Sequence, residues 1–170
     1  MNLLDHIASV AALAGRADHD PRALAADEHL RFEWYRAADP VDERAFLELV
    51  LLDPDREMAT AAVVARIDER GRARGDFHAW AARVGPAVEH VEFLRCRLAE
   101  WRLLRDALAG RPVQATAVLA ASDWAQRRLA AEVDGDLLAL LAVHGRTRRV
   151  RALTRVPRPV RRPREPDSGY

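Results

Sequence analysis

The sequence predicts an all-α fold, and three observations carry that prediction. The chain is rich in Ala and Leu, with aromatic residues at only 6% and few β-branched runs, a composition that favours helix over strand. No stretch alternates apolar and polar residues as a half-buried strand would, whereas apolar residues recur at spacings of three and four. Helix punctuation is also dense. An Asp-Pro step occurs at Asp20-Pro21, Asp39-Pro40 and Asp53-Pro54. Asp accepts hydrogen bonds from the free amides of a first helical turn, and Pro is pre-shaped for the position that follows.

Taken in order, residues 2–14 form an amphipathic helix with Leu3, Ile7, Val10 and Ala14 on one face and Gly15 beyond its end. The three Asp-Pro steps should open helices over 21–38, 40–52 and 54–70. The run Arg70 to Gly75 reads as an exposed loop, and Asp76 as the cap of a short helix holding Phe77, Trp80 and Val84. Gly85-Pro86 should break the chain and start its longest helix, 86–109, with Leu94, Leu98 and Trp101 inward and Gly110 past its end. A further helix from Pro112 to about Ala121 leads into the stretch that is easiest to read.

That stretch is Ser122 to Arg155. Ser122 caps a helix whose Ala125, Leu129 and Val133 make one apolar stripe. Gly135 interrupts it, and Asp136 can cap a second helix carrying Leu137, Leu138, Leu140 and Leu141. A helix so short and so apolar needs neighbours on both flanks. Gly145 fits a left-handed C-terminal cap before a third helix begins at Val150-Arg151. The succession Ser122-Asp123-Trp124, Arg128-Leu129-Ala130, Asp136 to Leu141 and Val150-Arg151 resembles HEAT-like helical repeats, most closely the leucine-rich-variant type. The resemblance covers about one and a half units and implies a helical stack at 122–155. Pro157 and Pro159 end it. The expected organisation is one helical domain over 1–156, of about seven to nine helices. A disordered Pro/Arg-rich tail over 157–170 follows, where four prolines exclude regular structure.

Charge and motif content bound the chemistry. All 27 basic residues are Arg, so Walker-type phosphate cradles and Schiff-base chemistry lack their lysine. No HExxH pattern, Cys/His ligand spacing or glycine-rich fingerprint occurs, and the expectation is an absence of catalytic, metal and cofactor sites. Cys96, the single cysteine, is expected to be a buried, inert thiol. Trp34, Trp80, Trp101 and Trp124 are read as core residues. With no long apolar run and no basic leader, the expected location is the cytoplasm and no membrane partner is foreseen.

The net charge of +1 conceals an asymmetry. Residues 1–145 hold 18 Arg against 24 acidic residues, and residues 146–170 hold nine Arg against two. The candidate partner-binding residues are therefore Arg127, Arg128, Arg146, Arg148, Arg149, Arg151 and Arg155. The function they suggest first is a non-enzymatic protein-interaction module or scaffold whose partner is another protein. The alternative is nucleic-acid binding, weak and non-specific, through the Arg-rich C-terminal segment.

Overall fold

A computed structural model describes residues 2–15 and 19–154. Among the described residues there are eleven α-helices and no strand, so the fold is all-α. The chain divides into two compact units, 1–113 and 114–170. The expected tail, 157–170, lies outside the described residues, as does Arg155.

The first unit holds α1 (Leu3–Leu13), α2 (Pro21–Ala26), α3 (Glu28–Ala37), α4 (Glu43–Val50), α5 (Arg56–Arg72), α6 (Phe77–Val88) and α7 (Glu92–Leu108). Alternate helices pack together. Helices α3, α5 and α7 form one layer, and α1, α4 and α6 the other. Their facing apolar stripes bury Ile7, Tyr35, Phe46, Leu47, Ile67, Leu94 and Leu104 completely. Within the first layer the chains run the same way. Arg66, midway along α5, reaches the carbonyls of Tyr35, Arg36 and Ala38 at the end of α3. Arg105, late in α7, reaches those of Ala73 and Gly75 just past α5. These guanidinium groups satisfy carbonyls that a helix end leaves without partners. Helices α5 and α7 meet closely at Gly71, where any Cβ would fall inside the Trp101 indole.

Several helix boundaries differ from the sequence reading for identifiable reasons. The expected helix 21–38 is broken at Asp27, whose carboxylate accepts from the Leu30 amide at 3.0 Å and starts α3 anew. Asp20 does cap α2 with Pro21 next to it. The other two steps fail: Asp42 rather than Asp39 caps α4, and Asp55 rather than Asp53 caps α5. The run 70–75 is helical as far as Arg72. Pro86 lies inside α6 instead of starting a helix. Pro86 and Ala82, whose carbonyl loses its partner, are both exposed, so water can replace the missing bond.

The second unit holds α8 (Ala115–Ala120), α9 (Asp123–Glu132), α10 (Gly135–His144) and α11 (Arg148–Leu153). Alternate helices again pack together, α8 with α10 and α9 with α11. Ser122 caps α9 as expected, with its hydroxyl 3.3 Å from the Ala125 amide. Position 134, not Asp136, is the N-cap of α10, and only Leu141 of its leucines is fully buried. Gly145 is not left-handed, with φ at −54°. Its glycine is required by space, because a Cβ there would stand 2.7 Å from the Val150 methyl. Gly110, after α7, does take the left-handed conformation, φ +70°.

Candidate functional site

The first candidate is the set of arginines in the second unit, and most of them serve the fold. Arg127 pairs with Asp123 one turn away at 2.9 Å. Arg128 lies 3.8 Å from Glu132 and 5.6 Å over the Trp124 ring, and Trp124 is half-buried rather than in the core as expected. Arg151 donates to the Gly145 carbonyl. The Arg146 backbone amide donates to the buried Gln126 side chain at 2.8 Å, and its guanidinium lies 3.5 Å from the Ala121 carbonyl. Arg148 and Arg149 are exposed and pair with no described residue. They occupy the first turn of α11, where the helix dipole presents the same sign as their charge. Helix electrostatics therefore does not account for them.

The second candidate is a cluster of buried polar groups in the first unit. Asp53 is 1% exposed. One of its oxygens accepts from Arg31 Nε at 2.9 Å and from the Tyr35 hydroxyl at 2.8 Å. The other accepts from the Asp55 amide at 2.8 Å. His6 Nε2 stands 3.2 Å from the Tyr35 hydroxyl and 3.7 Å from Asp53. Since the phenol donates to Asp53, its oxygen is left to accept, which places the His6 proton on Nε2. His6 Nδ1 is buried and makes no hydrogen bond. Burial raises the Tyr35 pKa far above the ordinary phenol, and the adjacent Asp53 carboxylate raises it further. Burial also holds the His6 pKa below the ordinary imidazole value, against the raising effect of Asp53. A His-Tyr-Asp-Arg set could carry acid–base chemistry in a cleft. Here every member is buried and lines none of the cavities described below. The cluster joins α1 and α3 to the turn before α5.

The third candidate is an open trough of about 980 Å³ along α5. Its floor is Thr60, Ala61, Val64 and Ala65, four small residues at the spacing of one helix face. The Thr60 hydroxyl is turned onto its own helix, donating to the Arg56 carbonyl at 2.7 Å. Arg36 at the end of α3 and Phe93 at the start of α7 stand at the edges. Phe93 is 58% exposed. At one end, a recess of about 500 Å³ shares Glu57 and Ala61 with the trough and adds Glu28, His29, Phe32, Asp55 and Met58. The Asp55 pKa is lowered, chiefly because its carboxylate accepts from the Met58 amide.

Ion pairs along the trough are partly closed. Arg36 lies 3.5 Å from Glu33, and Asp68 lies 3.5 Å from Arg72 and 3.4 Å from Arg97. Asp68 also accepts from the Trp101 indole at 2.7 Å. Glu57 and Glu69 are exposed and pair with no described cation. None of the trough's lining residues was among the candidate partner-binding residues read from the sequence. A face of Thr, Ala and Val on an Ala-rich helix looks like an ordinary packing face until α3 and α7 are seen to flank it without covering it.

Cys96 is exposed on α7, contrary to the expected buried thiol. It falls on the solvent side because Leu94, Leu98 and Trp101 take the inward positions of that helix. Among the described residues no group of three His, Cys, Asp or Glu is placed to hold a metal ion. No helix among them is long and apolar enough to cross a membrane.

No family model, no curated protein and no solved structure matches the chain.

Proposed function

We propose that this protein is a non-enzymatic interaction module of the cytoplasm that receives another protein in the trough along α5. The observation that carries the reading is the trough itself. A small apolar floor is bordered by a phenylalanine held 58% exposed. Covering a phenylalanine is worth roughly 1.5–3 kcal/mol, and contiguous exposed apolar surface on a folded chain marks interaction sites. The packing of α3, α5 and α7 as one layer, backed by α1, α4 and α6, supports the HEAT-like scaffold suggested by residues 122–155. Such stacks bind partners along an exposed face of their helices, where the trough lies.

A second reading has its own observation. Arg148 and Arg149 are exposed and held by no described partner, which suits contact with an anionic polymer such as nucleic acid.

One experiment separates the readings. A photo-crosslinking residue is placed at Ala61 in one variant and at Arg149 in another, and each is irradiated in cell extract. Protein adducts at position 61 that vanish when Ala65→Trp fills the floor support the interaction module. Nuclease-sensitive adducts at position 149, with none at 61, would replace it with the nucleic-acid reading.

A further inference from the structure

Taking the trough as the binding face, we infer that its occupant is a basic amphipathic helix of a partner protein. Two features decide the conformation. The trough is walled by helices and offers no sheet edge. An extended segment would therefore bury its own amides and carbonyls against Ala61, Val64 and Ala65 without partners, whereas a helix arrives with those groups already satisfied. The floor also lacks any side chain larger than Val, which lets a second helix approach at the short interaxial distances that small residues permit, about 8 Å. The trough follows α5 from Arg56 to Arg72. That length, at 1.5 Å per residue, accommodates roughly 16 helical residues.

Charge decides the composition. The trough lining sets Arg36, Arg56 and Arg72 against Glu57, Asp68 and Glu69. Arg36 is held by Glu33 and Arg72 by Asp68, Arg56 stands beside Glu57, and the adjoining recess adds Glu28 and Asp55, so the excess charge is negative. Glu57, with Glu28 and Asp55 in the adjoining recess, lies at one end and Glu69 toward the other. Glu57 and Glu69 are 12 residues apart on one helix, about 18 Å. A partner helix with an apolar central face and Arg or Lys about 11 positions apart, which keeps both on one face, would reach the two ends, and the excess carboxylates favour it over an acidic helix.

The test uses the full chain and a phage-displayed library of random 16-residue peptides, with the enriched peptides then synthesised and titrated by fluorescence anisotropy. The expected result is enrichment of peptides with basic residues spaced about 11 apart. Their binding should be lost in Ala61→Trp and weakened roughly tenfold in the double variant Glu57→Gln/Glu69→Gln, the scale of two ion pairs. Position 61 is exposed, and circular dichroism checks that both variants keep their helix content. Peptides that require an open floor at Ala61 but show no basic preference, and bind the Gln variant equally well, would overturn this inference and leave the interaction module standing. Absence of any peptide whose binding depends on Ala61 would overturn both.

Discussion

The two units solve one problem with opposite chemistry. Each must join a helix end to its neighbours through a buried polar side chain. The first unit does it with charge: Asp53, Arg31, Tyr35 and His6 bring an ionised pair into the interior. The second does it with a neutral amide. Gln126, completely buried, donates to the carbonyls of Val118 and Leu119 at 3.0 and 2.9 Å. It lies 3.3 Å from the Ala121 carbonyl and accepts from the Arg146 amide at 2.8 Å. Both hubs close carbonyls or amides that helix termini leave open. The charged hub costs more to desolvate and more to break, and it responds to pH. The amide hub carries no such dependence.

The largest effect should come from breaking the charged hub. Asp53→Ala strands the buried Arg31 guanidinium and should lose about 3–5 kcal/mol in denaturant titration. A loss below 1 kcal/mol would mean that water reaches Arg31 and that the two hubs differ little. Gln126→Ala leaves neutral groups unpaired and should lose about 1–3 kcal/mol, with faster hydrogen exchange in α8 and at the start of α11. Equal losses at the two sites would erase the distinction. The smallest effect is the pH response. The folded state holds His6 below its ordinary pKa of 6.5, so the unfolded chain binds that proton more tightly. Stability contributed by neutral His6 is whole above pH 6.5 and is lost as the pH falls through the lower folded value. The added proton would land on Nδ1, which is buried without an acceptor. Thermal midpoints measured from pH 7.5 down to 5 should fall, and His6→Gln should flatten that fall.

The same comparison shows what could be read from the sequence. The all-α class, the Ser122 cap, the Asp20 and Asp76 caps and the ends of α1 and α7 were legible, because a cap is a bond between residues two or three apart. Asp39 and Asp53 defeated the same logic. Each is followed by a second aspartate, Asp42 or Asp55, that takes the capping role. Nothing local distinguishes an Asp that caps from one that meets Arg31, 22 residues away. Gly145 was placed correctly as an end but for the wrong reason: it is not left-handed, and a Cβ there would crowd the Leu141 carbonyl first and then Val150. The candidate arginines were legible as charge only. Which of them are occupied depends on Asp123, Glu132 and the Gly145 carbonyl, a matter of tertiary placement. The trough was invisible for the same cause: it is defined by where α3 ends and α7 begins.

Asp53 also sets an order of events during synthesis. His6, Arg31 and Tyr35 all emerge from the ribosome before the one carboxylate that holds them. At translation rates of 5–20 residues per second, the nascent N-terminal helix waits roughly 2–9 s between the appearance of His6 and that of Asp53. Throughout that interval Arg31 has no carboxylate from position 53 to bury against, so it must stay hydrated and the first three helices cannot close over it. The buried cluster of the N-terminal third can therefore be completed only after the turn before α5 has left the exit tunnel.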